Sequence, residues 1–107
     1  MSDNSGVKHD SGKPEPALIP AEAIIGAAKG LSYGKNKYGA DNFKGGLEHR
    51  RLYNSLMRHI LAMLSNEDTD PESGIEHIDL VLANAAMLKW MIVHRPDLDD
   101  RWKPSQR

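Results

Sequence analysis

The chain has no cysteine, a single phenylalanine and no apolar run long enough to span a bilayer. Without cysteine there is no disulfide scaffold, no thiolate nucleophile and no Cys-ligated zinc. Neither Gly-x-Ser-x-Gly nor His-Glu-x-x-His occurs, which removes the hydrolase elbow and the zinc-protease helix. Charge of one sign is also lacking. Fourteen Lys and Arg stand against fifteen Asp and Glu, a net charge of −1, so no broad surface for a nucleic acid polymer or an acidic membrane is expected. The first 20 residues are polar and carry Asp3, Asp10 and Glu15, which does not read as a secretory leader. The expected setting is a reducing cytoplasm.

What remains is one domain with a modest core, since 107 residues bury little more than that. Residues 1–16 read as a flexible or extended arm, with Pro14, Pro16 and Pro20 keeping the stretch out of a helix. The arm ends in Ala17-Leu18-Ile19, an apolar patch suited to docking on the body. Residues 17–95 read as the helical domain that carries the function and 96–107 as a loose polar tail with Trp102 as its anchor. A first helix is expected from about Pro20 to Tyr33 or Lys37, with Ala23, Ile24, Ala27, Ala28 and Leu31 at helical spacing. Residues 34–46 hold four glycines, two asparagines and two aromatics and read as a loop of functional length. A second helix follows from Leu47 to Ser65, then an acidic turn, then a third helix from Glu72 to His94. The third is apolar nearly all round, as in a central helix or one shared with a second subunit. The expected fold is therefore all-α, a bundle of three main helices completed by homo-oligomerisation.

Polar residues concentrate between Tyr33 and Asp79. In a helix starting at Glu72, the residues Glu72, Glu76 and Asp79 would lie within roughly 60° of one another. Three carboxylates on one stripe suit Mg²⁺, which takes oxygen ligands, and this assigns all three as metal-binding and catalytic candidates. Ser73 and Glu76 equally fit a capping box, and Asp70 with Pro71 an alternative helix start. Asp79, inside an apolar run, needs a metal or an ion-pair partner such as Arg51 or Arg58. On the second helix Glu48, Arg51 and Arg58 align, with His59 beside them, and arginines there suit phosphate recognition. His77 reads as a core histidine or a ligand contact. In the loop, Tyr38 and Phe43 suit base stacking, Lys35, Lys37 and Lys44 suit phosphates, and Asn42 suits a base edge. The Walker spacing is absent. The nucleotide-binding candidates are thus Lys37, Tyr38, Asn42, Phe43, Arg51, Arg58, His59 and His77.

Short motifs occur in a fixed order. Asp10-Ser-Gly-Lys-Pro14 is followed by Leu18-Ile-Pro20, Tyr33-Gly34, Lys37-Tyr-Gly39, Asn42-Phe43 and Lys44-Gly45. Arg51-Leu52, Arg58-His59, Glu67-Asp68, Asp70-Pro-Glu-Ser-Gly74 and His77 complete the series. Together they resemble a phage-encoded family labelled dATP/dGTP diphosphohydrolase, grouped with the MazG-like all-α nucleotide pyrophosphohydrolases. The resemblance implies an oligomeric, Mg²⁺-dependent enzyme that splits a purine nucleoside triphosphate into monophosphate and pyrophosphate. It also implies a Glu-x-x-Glu on one helix and a Glu-x-x-Asp on the next. Glu76-His-Ile-Asp79 matches the second element, whereas Glu48 is followed by Arg51 and the first is missing. A non-catalytic binder that sequesters a nucleotide-derived ligand, such as a host defence signal, is the alternative. A helical interaction protein with no small ligand is the third reading.

Overall fold

A computed structural model describes residues 5–104. It contains three α-helices: α1, Ala21–Tyr38; α2, His49–Leu64; and α3, His77–His94. Single 3-10 turns at Pro16–Leu18, Asn42–Gly45 and Pro96–Leu98 punctuate the connections, and no strand forms among the described residues. The all-α expectation holds. Residues 1–4 of the expected arm and 105–107 of the expected tail lie outside the described residues.

Helix α3 is the central element, and α1 and α2 each pack on it rather than on one another. Its buried positions, His77, Leu80, Ala83, Asn84, Leu88 and Met91, recur at three- and four-residue steps along one side. Met91 is fully enclosed and clusters with Leu88 and Leu52 of α2. Phe43, Leu47, Leu56, Trp90 and Leu98 complete this core. The α1–α3 contact has a different basis. A Cβ at Gly26 would run into the Asp79 carboxylate, and one at Gly30 into the Ala83 side chain. These two glycines let α1 approach α3 at close range.

Several expectations are corrected. Helix α1 continues through Gly34 to Tyr38 and stops at Gly39, whose φ of 95° only glycine adopts freely. The loop is therefore shorter than its composition implies, and Lys37 and Tyr38 belong to a helix. Helix α3 begins at His77, not Glu72. Residues 65–76 instead fold back on themselves, with Thr69 bridged to Glu76 and the His77 amide donating to the Asp68 carbonyl at 2.8 Å. No capping box forms: Glu76 stands at the N-cap without a side-chain bond, and Ser73 donates its hydroxyl to Asp70 at 2.7 Å. Leu18 and Ile19 are exposed, so the arm does not dock through them. Trp102, 80% exposed, anchors nothing. The tail is held instead by Leu98 in the core and by Asp100, which accepts a bond from the Arg50 amide. As its all-round apolar pattern leads one to expect, α3 is central but not fully covered by its own chain: Ile78, Ile92 and Val93 are exposed.

Candidate functional site

Because α1 and α2 pack mainly on α3 and little on one another, a valley is left between them, closed at one end by the 39–47 connection. It forms a cleft of about 700 Å³, within the size range of small-molecule sites. Asn84 and Met87 of α3 form its floor, with Leu52. The Asn84 amide donates to the Leu80 carbonyl at 2.8 Å, which fixes that polar group beneath the cleft. Arg51, Ser55 and Arg58 line one wall because they recur at four and three residues along α2. Lys35 and Tyr38 line the opposite wall from α1, and Asn42 and Phe43 form the end.

The cleft lining carries three cationic side chains, Lys35, Arg51 and Arg58, and one carboxylate, Asp41. Asp41 is engaged by Lys44 at 3.2 Å. The concavity is thus electropositive although the chain as a whole is not, a field suited to a phosphate chain. Phe43 is held edge-on against Trp90, with ring centroids 5.6 Å apart, while Tyr38 at the rim is exposed and carries the Lys37 ammonium over its ring at 5.3 Å. A fixed aromatic and an exposed one offer faces for a base.

Five of the sequence candidates therefore share the cleft: Tyr38, Asn42, Phe43, Arg51 and Arg58. Lys35, which the loop composition also singled out for phosphate contact, joins them. Lys37 does not. It is not part of the cleft lining and pairs with Glu72 at 3.4 Å. Tyr38 first and Glu72 next hold the Lys37 ammonium above the usual lysine range.

His59 and His77 meet each other instead of the cleft lining. Their Nδ1 atoms are 2.8 Å apart, and His77 Nε2 lies 2.8 Å from Glu67 Oε2. His77 is 4% exposed. Its burial is satisfied at both nitrogens, so it is a connected core histidine. The Glu67 contact was not foreseen, because Glu67 lies in a turn ten residues before His77. Burial first, and His77 second, keep His59 below the ordinary histidine range, with Asp70 opposing and Arg58 assisting. Asp70 itself is held below the usual carboxylate range, chiefly by the Ser73 hydroxyl.

The carboxylate stripe does not form, because only Asp79 of the three lies in a helix. Glu76 and Asp79 border a separate depression on the α1–α3 side, with Ser32, Tyr33 and Asn36. Asp79 makes no ion pair with Arg51 or Arg58 and packs against Gly26. Among the described residues no three imidazole or carboxylate groups converge closely enough to hold a metal ion. Among the described residues of the single chain, these donors do not form a set that fits a resident cation. No helix among the described residues is long and apolar enough to cross a membrane.

The fold and cleft define a small three-helix protein with an electropositive, aromatic-ended nucleotide-sized groove. The chain belongs to the dATP/dGTP diphosphohydrolase N-terminal family, whose model matches residues 3–101. It is 33% identical over 97 residues to a Salmonella phage PMBT28 protein named dATP/dGTP diphosphohydrolase. That match takes in 91% of this chain and 33% of the phage protein, so the chain spans one third of its relative's length. No solved structure gives a significant match.

Proposed function

We propose that the α1–α2 cleft binds a purine deoxynucleoside triphosphate and that the chain acts in its hydrolysis to monophosphate and pyrophosphate. The observation that carries this is the convergence of Lys35, Arg51 and Arg58 in one cleft that ends in Phe43, Tyr38 and Asn42. The arginines would hold phosphate oxygens through paired N–H groups, with Lys35 adding a point charge from the opposite wall. Tyr38 and Phe43 would flank the base, with Asn42 at its edge. The name of the phage relative supports the reaction class. Mg²⁺, expected from the family resemblance, would enter on the triphosphate, since no three carboxylates or imidazoles gather among the described residues.

A second copy is part of the proposal. Met57, Ile60, Leu61 and Leu64 recur at helical spacing on the outer face of α2 and are all exposed. An apolar stripe of this kind marks an association surface. Sedimentation of a stable monomer at micromolar concentration would remove the oligomer.

A binding-only reading is favoured by one observation. The three cations line the cleft, whereas Glu72, Glu76 and Asp79 all lie off it. One experiment separates the two readings: a thermal-shift screen of nucleotides with and without Mg²⁺, then product analysis of each hit. Pyrophosphate release from dATP or dGTP supports hydrolysis. A ligand recovered unchanged after denaturation supports sequestration, and no shift with any nucleotide overturns both.

A further inference from the structure

Glu67, His77 and His59 form a continuous hydrogen-bonded series that the cleft lining leaves unexplained. Glu67 lies in the 65–76 turn and its side chain is half exposed, His77 is buried at the start of α3, and His59 sits on α2. Both links measure 2.8 Å. His59 stands one helical turn beyond Ser55 and next to Arg58, and both of those residues line the cleft. With Nδ1 committed to His77, the remaining ring nitrogen of His59 is Nε2, and the side chain is partly exposed. A buried histidine tied at one nitrogen to a carboxylate and at the other to a second histidine is costly to assemble unless all partners are satisfied.

The chemistry of the links is restrictive. A carboxylate only accepts, so the neutral chain has His77 donating Nε2–H to Glu67 and accepting Nδ1–H from His59. His59 Nε2 is then a lone pair. The charged chain has His77 protonated at both nitrogens between Glu67 and His59, and His59 carries its proton on Nε2. The two arrangements differ by one proton added at His59 Nε2 and one passed between the two Nδ1 atoms.

We infer that Glu67, His77 and His59 form a proton relay ending beside the cleft, in which His59 accepts the proton of the water that attacks the phosphate chain. The step rests on the hydrolytic reading of the cleft. Water oxygen forms the new bond to phosphorus and the bond to the pyrophosphate oxygen breaks, with its electron pair leaving on pyrophosphate. The water proton goes to His59 Nε2, the His59 Nδ1 proton crosses to His77 Nδ1, and the positive charge comes to rest next to Glu67. The groups facing His59 are His77 from α3, Asp70 from the turn and Arg58 from its own helix. Burial and His77 disfavour the charged ring of His59, and the neutral ring is the form that accepts a proton.

The test uses the full chain with dATP or dGTP and Mg²⁺. H59Q is expected to lower kcat on the order of 10²-fold with KM nearly unchanged. E67Q, on a half-exposed side chain that the fold tolerates, is expected to lower kcat less and to move the acid limb of its pH profile to lower pH, because the charged His77 loses its counterion. Nitrogen NMR of the histidines reports the hydrogen-bond series without turnover: His59 carries its proton on Nδ1 in the wild type at pH 7.5 and loses that preference in E67Q. Turnover by the wild type with unchanged kcat and pH profile in both variants overturns the relay and leaves the hydrolytic reading standing. A wild type that binds nucleotide but never cleaves it overturns the hydrolytic reading and the relay's role with it. In that case the tautomer spectrum still shows whether the three groups are linked.

Discussion

Asp100 caps a helix to which it is not connected. Its carboxylate accepts a hydrogen bond from the Arg50 amide at 2.8 Å, 50 positions earlier in the chain. The N-cap residue of α2, Glu48, makes no side-chain bond to the helix. The first amides of a helix have no partners within it, and a carboxylate there also meets the positive end of the helix dipole. The bond holds Asp100 below the usual carboxylate range. Next to it, buried His49 donates Nε2–H to the Arg95 carbonyl at 3.0 Å. The tail after α3 is thereby fastened across the start of α2, which carries Arg51 to the cleft. D100A is expected to lower the melting temperature by a few degrees and D100N by less, read by circular dichroism at neutral pH. An unchanged D100A would mean that the Arg50 amide is as well served by water.

Two glycines of the same helix should respond in opposite ways. Gly30 faces α3, and an added methyl there meets the Ala83 side chain. Gly34 lies one turn later with open space around its Cβ position. Alanine favours a helix over glycine by about 0.8–1.0 kcal/mol. G34A should therefore stabilise by about 0.5–1 kcal/mol, whereas in G30A overpacking costs about 1–3 kcal/mol and outweighs the same backbone gain. Urea unfolding of both variants checks the sign of each. Equal effects would show that α1 is not seated on α3 through Gly30.

These contrasts also mark what the sequence disclosed. The three helices were legible because Leu52, Leu56 and the α3 run repeat at helical spacing, and the cleft arginines because 51, 55 and 58 share a face. Gly34 and Gly39 looked alike in sequence. In the fold Gly34 lies inside α1, whereas Gly39 ends it at a φ of 95°. The start of α3 was misread because Asp70, Ser73 and Glu76 satisfy a cap pattern. In the fold, Asp70 takes the Ser73 amide and hydroxyl itself, so the helix waits until His77. The Glu67–His77 and Asp100–Arg50 bonds left no signal, since neither partner's spacing is periodic and both join segments through tertiary packing.

Cleft binding should depend on the cations individually. R51Q and R58Q are each expected to weaken nucleotide binding about tenfold or more, the scale of a lost charge-assisted hydrogen bond. R51K and R58K keep the charge but lose the paired donors, and should fall between wild type and glutamine. E72Q, whose residue pairs with Lys37 outside the cleft, should leave affinity unchanged. Calorimetric titration with a non-hydrolysable triphosphate distinguishes these cases. Loss of affinity in E72Q with none in R51Q would relocate the site to the Lys37–Glu72 pair.

Acid sensitivity should trace to His59. Its folded-state pKa lies below the ordinary histidine value of 6.5, because burial and His77 disfavour the charged ring. The unfolded chain then binds more protons than the folded one as pH falls through the unfolded value. Stability is therefore fully present above about 6.5 and is lost progressively below it, down to the lowered folded value. Asp70 is shifted in the carboxylate range and acts only at lower pH, where protonation releases its bonds to Ser73. The wild-type melting temperature should accordingly fall between pH 7.5 and 5.5. H59Q should flatten that part of the curve, while D70N, which removes the charge that opposes the His59 shift, should steepen it as well as change the absolute stability. A slope that survives in H59Q would assign the acid sensitivity to another histidine.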